Sequence, residues 1–219
     1  MAAGELAAKH LIAQASKAFF GYGPSRAGIW LQGRLAVFAS ALTGPGMQLA
    51  LAEDPFGRLC MRHINGLYVQ QTRAAITQAA AGWGVRLRSV ASDLDLKRRW
   101  ALGVGIAETP LPGAAPEREA PAELRALLAE GLGRPVREVL QGDLLVHART
   151  DLPAALAPAP ANDAQATVTH LQAWGALRDD LEATLIRRVA GTLPLHTWAA
   201  VGDGAGGLLV VLVTAPAAH

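Results

Sequence analysis

Residues Leu31-Gln32-Gly33-Arg34-Leu35-Ala36-Val37 return 109 positions later as Leu140-Gln141-Gly142-Asp143-Leu144-Leu145-Val146. The same offset carries Asp54 onto Asp163 and Ala81-Gly82 onto Ala190-Gly191. Upstream, Gly21-Tyr22-Gly23-Pro24-Ser25-Arg26 is answered by Gly131-Leu132-Gly133-Arg134-Pro135-Val136-Arg137. Each has G-x-G, then a proline, then an arginine two residues on. Matches that keep one order and nearly one spacing describe a chain built from two copies of one unit. Each copy then has roughly 100 residues, enough for a small core.

Both copies carry the same signals in the same order. In the first, residues 5–20 are alanine-rich and helical in composition, and Gly21 supplies a left-handed stop. Ala27–Leu42 holds two strand-like runs around Gly33-Arg34, a hairpin pattern. After a loop over 43–53, Asp54-Pro55 marks a helix start, with aspartate as N-cap and proline at the first helical position. This helix is expected to run to about Ala81, with Cys60, Ile64, Tyr68, Ile76 and Ala80 on its apolar side. Two strands follow, near 85–92 and 99–107, with a turn at Ser92-Asp93-Leu94-Asp95. In the second copy a helix from Pro121 ends before Gly133, and strands follow near 136–141 and 144–149. Asp163 caps a long helix striped by Leu171, Trp174, Leu177, Leu181, Leu185 and Val189. Closing strands fall near 195–201 and 207–215; the last is continuously apolar, as a strand buried on both faces would be.

The expected fold is therefore α+β: two tandem αββαββ repeats, each a four-stranded antiparallel sheet covered by a long helix. Repeat one spans 1–107 and repeat two 121–219. The stretch 108–120 reads as a proline-rich linker; Glu108–Pro121 holds four of the thirteen prolines. Two such units in one chain form an internal pseudo-two-fold pair, the covalent counterpart of a homodimer.

Composition narrows the function classes. A hydrophobic fraction of 51% with 17% charged residues excludes intrinsic disorder. The single cysteine, Cys60, excludes an intramolecular disulfide and a multi-cysteine zinc site. The longest apolar run, Leu208–Val213, is strand-sized, and Glu5, Lys9 and Lys17 at the N-terminus do not form a signal peptide. A cytoplasmic protein is expected. The net charge of +2 is too small to imply a nucleic-acid partner. Lysine appears only at Lys9, Lys17 and Lys97, so the basic character is almost all arginine.

Gly202-Asp203-Gly204-Ala205-Gly206-Gly207 leads into an apolar strand, not a helix N-terminus, so it reads as a hairpin turn and not a phosphate loop. His10, His63, His147, His170, His196 and His219 show no zinc spacing, although His147 and His196 could meet across the second sheet. Cys60 on an apolar helix side reads as a small hydrophobe. No nucleophile context such as G-x-S-x-G occurs. No catalytic residue, metal or cofactor is assigned, and a non-enzymatic protein is expected. Arg86, Arg88, Lys97, Arg98 and Arg99 form a basic window on a hairpin. It is either an edge protected by charge or a contact for a phosphate, a lipid headgroup or RNA. The Gly21–Arg26 turn leaves backbone N–H groups and a guanidinium for a small anion.

These residues resemble the MpsC family, named for a bacterial sodium-translocating, membrane-potential-generating system. The resemblance rests on Gly21-Tyr22-Gly23-Pro24, Leu42-Thr43, the helix ending at Gly82 and Ser92-Asp93, and covers about residues 5–107. Where the family carries arginine between the glycines this chain has Tyr22, and Gly46 stands where an acidic residue follows the threonine. The resemblance implies a binding or regulatory accessory of ion or inorganic-carbon transport. Its partner would be a membrane transport complex or a small anion, reached peripherally from the cytoplasm. The surface so implied comprises Gly21, Gly23, Pro24, Arg26 and Thr43. The alternatives are a nucleic-acid binder using the 86–99 hairpin and an enzyme with a site between the repeats.

Overall fold

Gly33-Arg34 joins two strands, β1 (Ala27–Gln32) and β2 (Leu35–Ala41), paired antiparallel with Gln32 opposite Leu35. Helix α1 (Pro55–Gly82) follows, and Asp54 caps it by accepting the Gly57 N–H at 2.7 Å. Strands β3 (Leu87–Asp95) and β4 (Trp100–Ala107) complete a four-stranded antiparallel sheet of order β1-β2-β4-β3. The computed structural model describes residues 10, 13–14, 17–19, 24, 26–41, 54–82, 84–156 and 163–215. It divides into two units, Met1–Glu117 and Arg118–His219.

The first unit packs α1 on one sheet face. Ile29, Ala36 and Phe38 meet Ile76, Val85, Ala107 and Leu111 in its core. Each large apolar side chain buried this way contributes about 1.5–3 kcal/mol. On the other face, Leu35, Val37, Leu102, Val104 and Ile106 are buried as well. The expected apolar side of α1 is rotated from its sequence reading. Tyr68, Ile76 and Ala80 are buried, joined by Asn65 and Val69, but Ile64 is 41% exposed and Cys60 only half-buried. The helix is set by the Asn65–Val69–Ile76 line, which leaves Ile64 on its outer side.

The turn expected at Ser92–Asp95 is not a turn. These residues close β3, with Ser92 opposite Gly103 and Asp95 opposite Trp100, and the chain reverses at Leu96–Arg99. Polar residues at 92, 93 and 95 mimic a loop, yet they sit in register on a strand. The Ser-Asp pair of the family resemblance therefore lies within a strand, not between strands.

The second unit arranges β6 (Val136–Gln141), β7 (Leu145–Asp151), β8 (Leu195–Gly202) and β9 (Gly207–Thr214) around its own helices. A two-residue strand β5 (Arg118–Glu119) extends it to five strands in the order β5-β6-β7-β9-β8. Helix α2 (Ala122–Leu132) begins after Pro121. Asp163 caps α3 (Ala164–Leu181), accepting the Ala166 N–H at 2.8 Å. The long helix is not uniform. A π-helical turn at Glu182–Ile186 precedes its last α-turn, Arg187–Ala190. The wider turn keeps Leu181, Leu185 and Val189 on one line and buries Ile186 beside them. These side chains pack on Trp198, Leu208, Val210 and Leu212. Strand β9 lies between β7 and β8, and Gly207–Val213 is buried throughout, as its unbroken apolar run requires.

The proline-rich stretch is tied at both ends. Leu111 donates to the Gly33 carbonyl at 2.7 Å, and Ala115 donates to Leu31 at 3.0 Å. Arg118–Glu119 pairs with β6, and Ala120 is buried. The fold is α+β, with two antiparallel sheets and several helices. Among the described residues no helix is long and apolar enough to cross a membrane.

Candidate functional site

One end of the first sheet collects cations that are far apart in sequence. Ala41, at the end of β2, pairs with Trp100 at the start of β4, and its N–H donates to the Arg26 carbonyl at 2.9 Å. Arg26 thereby enters β1 beside Trp100, with its guanidinium carbon 5.6 Å from the Trp100 ring centroid. Such stacking fixes the plane of the guanidinium while leaving its N–H edges open. Across β4, Trp100 pairs with Asp95, the last residue of β3. The four-residue turn between them is Leu96-Lys97-Arg98-Arg99.

Asp95 is 1% exposed and anchors this turn. Its carboxylate accepts the Arg98 backbone N–H at 3.1 Å and the Arg98 guanidinium at 3.4 Å. Lys97 and Arg99 are exposed. Arg99 takes φ of 59°, the only positive φ outside glycine among the described residues. The end of the sheet thus gathers Arg26, Lys97, Arg98 and Arg99, groups suited to holding oxyanions.

The basic window read as one patch is divided. Arg86 and Arg88 flank Leu87, which pairs with Ala107 at the opposite end of the sheet. Eight strand steps from Leu87 to Asp95 separate the two ends by about 26 Å. Arg26, first assigned to a different site, joins Lys97, Arg98 and Arg99 instead. Pro24 is half-buried; Gly21, Gly23 and Thr43 lie outside the described residues. Sequence reasoning missed Trp100 and read Asp95 only as part of a solvated turn. The signal was Asp-x-x-Arg-x-Trp closing a hairpin, in which the aspartate bonds back to the turn.

In the second unit, the run Gly131-Leu132-Gly133-Arg134-Pro135-Val136-Arg137 has plain structural roles. A Cβ on Gly131 would stand 2.5 Å from Leu185 Cδ1, so only glycine lets α2 approach the π-turn. Gly133 adopts φ of 61° and ends α2, donating to the Glu130 carbonyl. The Pro135 carbonyl accepts the Thr150 hydroxyl at 2.6 Å, and Arg137 pairs with Asp151. The second unit's arginine therefore has an exposed carboxylate partner. In the first, Arg26 has no carboxylate partner among the described residues. The position matching Asp151 at the 109-residue offset is Leu42.

No family model, curated protein or solved structure matches the chain.

Net charge is distributed unevenly between the units. Residues 1–117 hold twelve Lys and Arg against seven Asp and Glu, a surplus of five. Residues 118–219 hold eight against eleven, a deficit of three. The modest total of +2 conceals a basic first unit and an acidic second.

Other candidates resolve into structural roles. Asp203 Oδ1 accepts the N–H groups of Ala205 at 2.7 Å and Gly207 at 2.8 Å. The glycine-rich turn thus spends those donors on its own carboxylate. His147 and His196 do not meet, because β9 lies between their strands. His147 stands level with Val211 and Ala199, about two strand spacings, or 10 Å, from β8. Its Nδ1 is buried without a hydrogen bond. Burial, with Arg149's charge adding to it, holds the imidazole down at about 4. Among the described residues no group of three or more His, Cys, Asp or Glu is placed to hold a metal. A cavity of about 30 Å³ between α1 and the sheet, lined by Phe38, Tyr68, Ile76 and Gly103, has room only for water.

Proposed function

We propose that this chain is a tandem, MpsC-like, non-enzymatic binding module, acting in the cytoplasm as an accessory of an ion or inorganic-carbon transport system. It meets a transport subunit or a small anion through the cationic end of the first sheet. The observation that carries this is the convergence of Arg26 with the Lys97–Arg99 turn, set against Arg137 of the second unit, which pairs with Asp151.

The tandem reading is supported by element bounds. Shifted by 109, β1 falls on β6, and α1 falls on the helical run that begins at Ala164. The inner strand orders β1-β2-β4-β3 and β6-β7-β9-β8 correspond one to one. The second copy serves as scaffold, and the first has kept the open arginine.

Affinity capture from gently solubilised cells, followed by mass spectrometry, tests the reading. Recovery of a membrane transport subunit with the wild-type chain, and its loss with Arg26→Ala, is the expected result. Recovery of nucleic acid or ribosomal proteins that wash off with salt would overturn it in favour of a nucleic-acid contact on the 86–99 hairpin.

A further inference from the structure

We infer that the cationic end of the first sheet is a phosphate-binding site, selective for a phosphomonoester or pyrophosphate dianion, with Arg99 as a ligand contact. This deepens the binding reading above and rests on it. The observation is a backbone one. Wherever else a described residue takes a positive φ, at positions 33, 84, 113, 133, 204 and 206, the residue is glycine. The β3–β4 turn alone places an arginine there. A side-chain-bearing residue is strained in that conformation and glycine is not.

Turn stability does not account for the arginine. Arg99 is exposed and has no hydrogen-bond or ion-pair partner among the described residues. Asp95, the buried carboxylate at the turn, is engaged by Arg98. Asp93 Oδ1 accepts the Leu94 N–H at 2.7 Å. Four cations against these two carboxylates leave a surplus of two, matched to a dianion. Two guanidiniums, from Arg26 and Arg99, suit the several oxygens of a phosphate better than a single carboxylate. The phosphate could be free or borne on a lipid headgroup. The headgroup source enters because Phe56, Ile64 and Leu67 are exposed on the first half of α1, whose Asn65 donates to the Asp93 carbonyl.

The test titrates the full chain with inorganic pyrophosphate by calorimetry. In parallel, the chain is floated with vesicles of phosphatidylcholine containing either phosphatidic acid, a monoester, or phosphatidylglycerol, a diester. Saturable pyrophosphate binding alone identifies a free ligand; flotation with phosphatidic acid but not phosphatidylglycerol identifies a headgroup. In either case Arg99→Gly should weaken binding about tenfold while raising Tm by about 2 °C. Arg99→Lys should retain more affinity than Arg99→Gly, and Arg118→Ala should match wild type. The inference is overturned if wild type binds neither probe, or if Arg99→Gly binds as wild type does. It is also overturned if Arg99→Gly lowers Tm, which would make the arginine structural. Loss of phosphate binding with transport-subunit capture intact would remove this inference alone; the converse would remove the transport reading alone.

Discussion

His147 shows how one buried side chain makes stability depend on pH. The unfolded chain protonates this imidazole below about 6.5, whereas the folded chain does so only near 4. Between those values the unfolded state holds more protons, so folding is fully favoured above pH 6.5 and weakened as pH falls. The loss on reaching pH 4 is about 3 kcal/mol. Chemical denaturation at pH 4.5 and 7.5 checks it: His147→Val should flatten the difference, and an unchanged pH slope in that variant would assign the effect elsewhere. Asp203 makes a second case. Its carboxylate satisfies two turn N–H groups, so Asp203→Ala should cost about 2 kcal/mol in the same assay. Asp203→Asn, which keeps an acceptor oxygen, should cost less. Part of this was legible in the sequence, since the Gly-Asp-Gly run reads as a turn. That Asp203 fills the turn's own anion cradle was not, because donor direction depends on φ values set by the hairpin.

Elements were legible where a local signal was unambiguous. Asp54 and Asp163 stand before apolar-periodic runs, and both cap helices in the fold. The reading failed where tertiary packing overrides a local pattern. Ser92, Asp93 and Asp95 look like a loop, but pairing with β4 holds them in a strand and draws Asp95 inward against Trp100. The π-turn at Glu182–Ile186 has no sequence signature; it lies where Leu181, Leu185 and Ile186 are buried in the core of the second unit. Gly131 tests this contact. Gly131→Ala would place a methyl 2.9 Å from Leu185 Cβ as well as against its Cδ1. Destabilisation of about 2 kcal/mol is expected from that overpacking. Gly133→Ala meets no neighbour and should cost only about 1 kcal/mol, from its left-handed backbone. Equal effects in thermal melts would show that the close approach is not what selects glycine at 131.

At the scale of the molecule, the Gly131–Arg137 segment of the second unit is first a folding device: a close-approach glycine, a helix stop, a proline and an arginine at a strand start. The second unit carries the device with its arginine paired to Asp151. In the first unit the matching arginine, Arg26, is laid on Trp100, with three further cations at the same end of the sheet. The matches at a 109-residue offset are visible in the sequence alone. The site is not, because its parts are joined only by the pairing of Ala41 and Asp95 with Trp100. That asymmetry is the central claim. Its most direct measurement is affinity capture compared between Arg26→Ala and Arg137→Ala, with melting temperatures recorded for both. The account predicts that Arg26→Ala loses the transport subunit at nearly wild-type stability, whereas Arg137→Ala keeps it. Loss of the partner with Arg137→Ala and its retention with Arg26→Ala would contradict the account and place the working surface in the second unit.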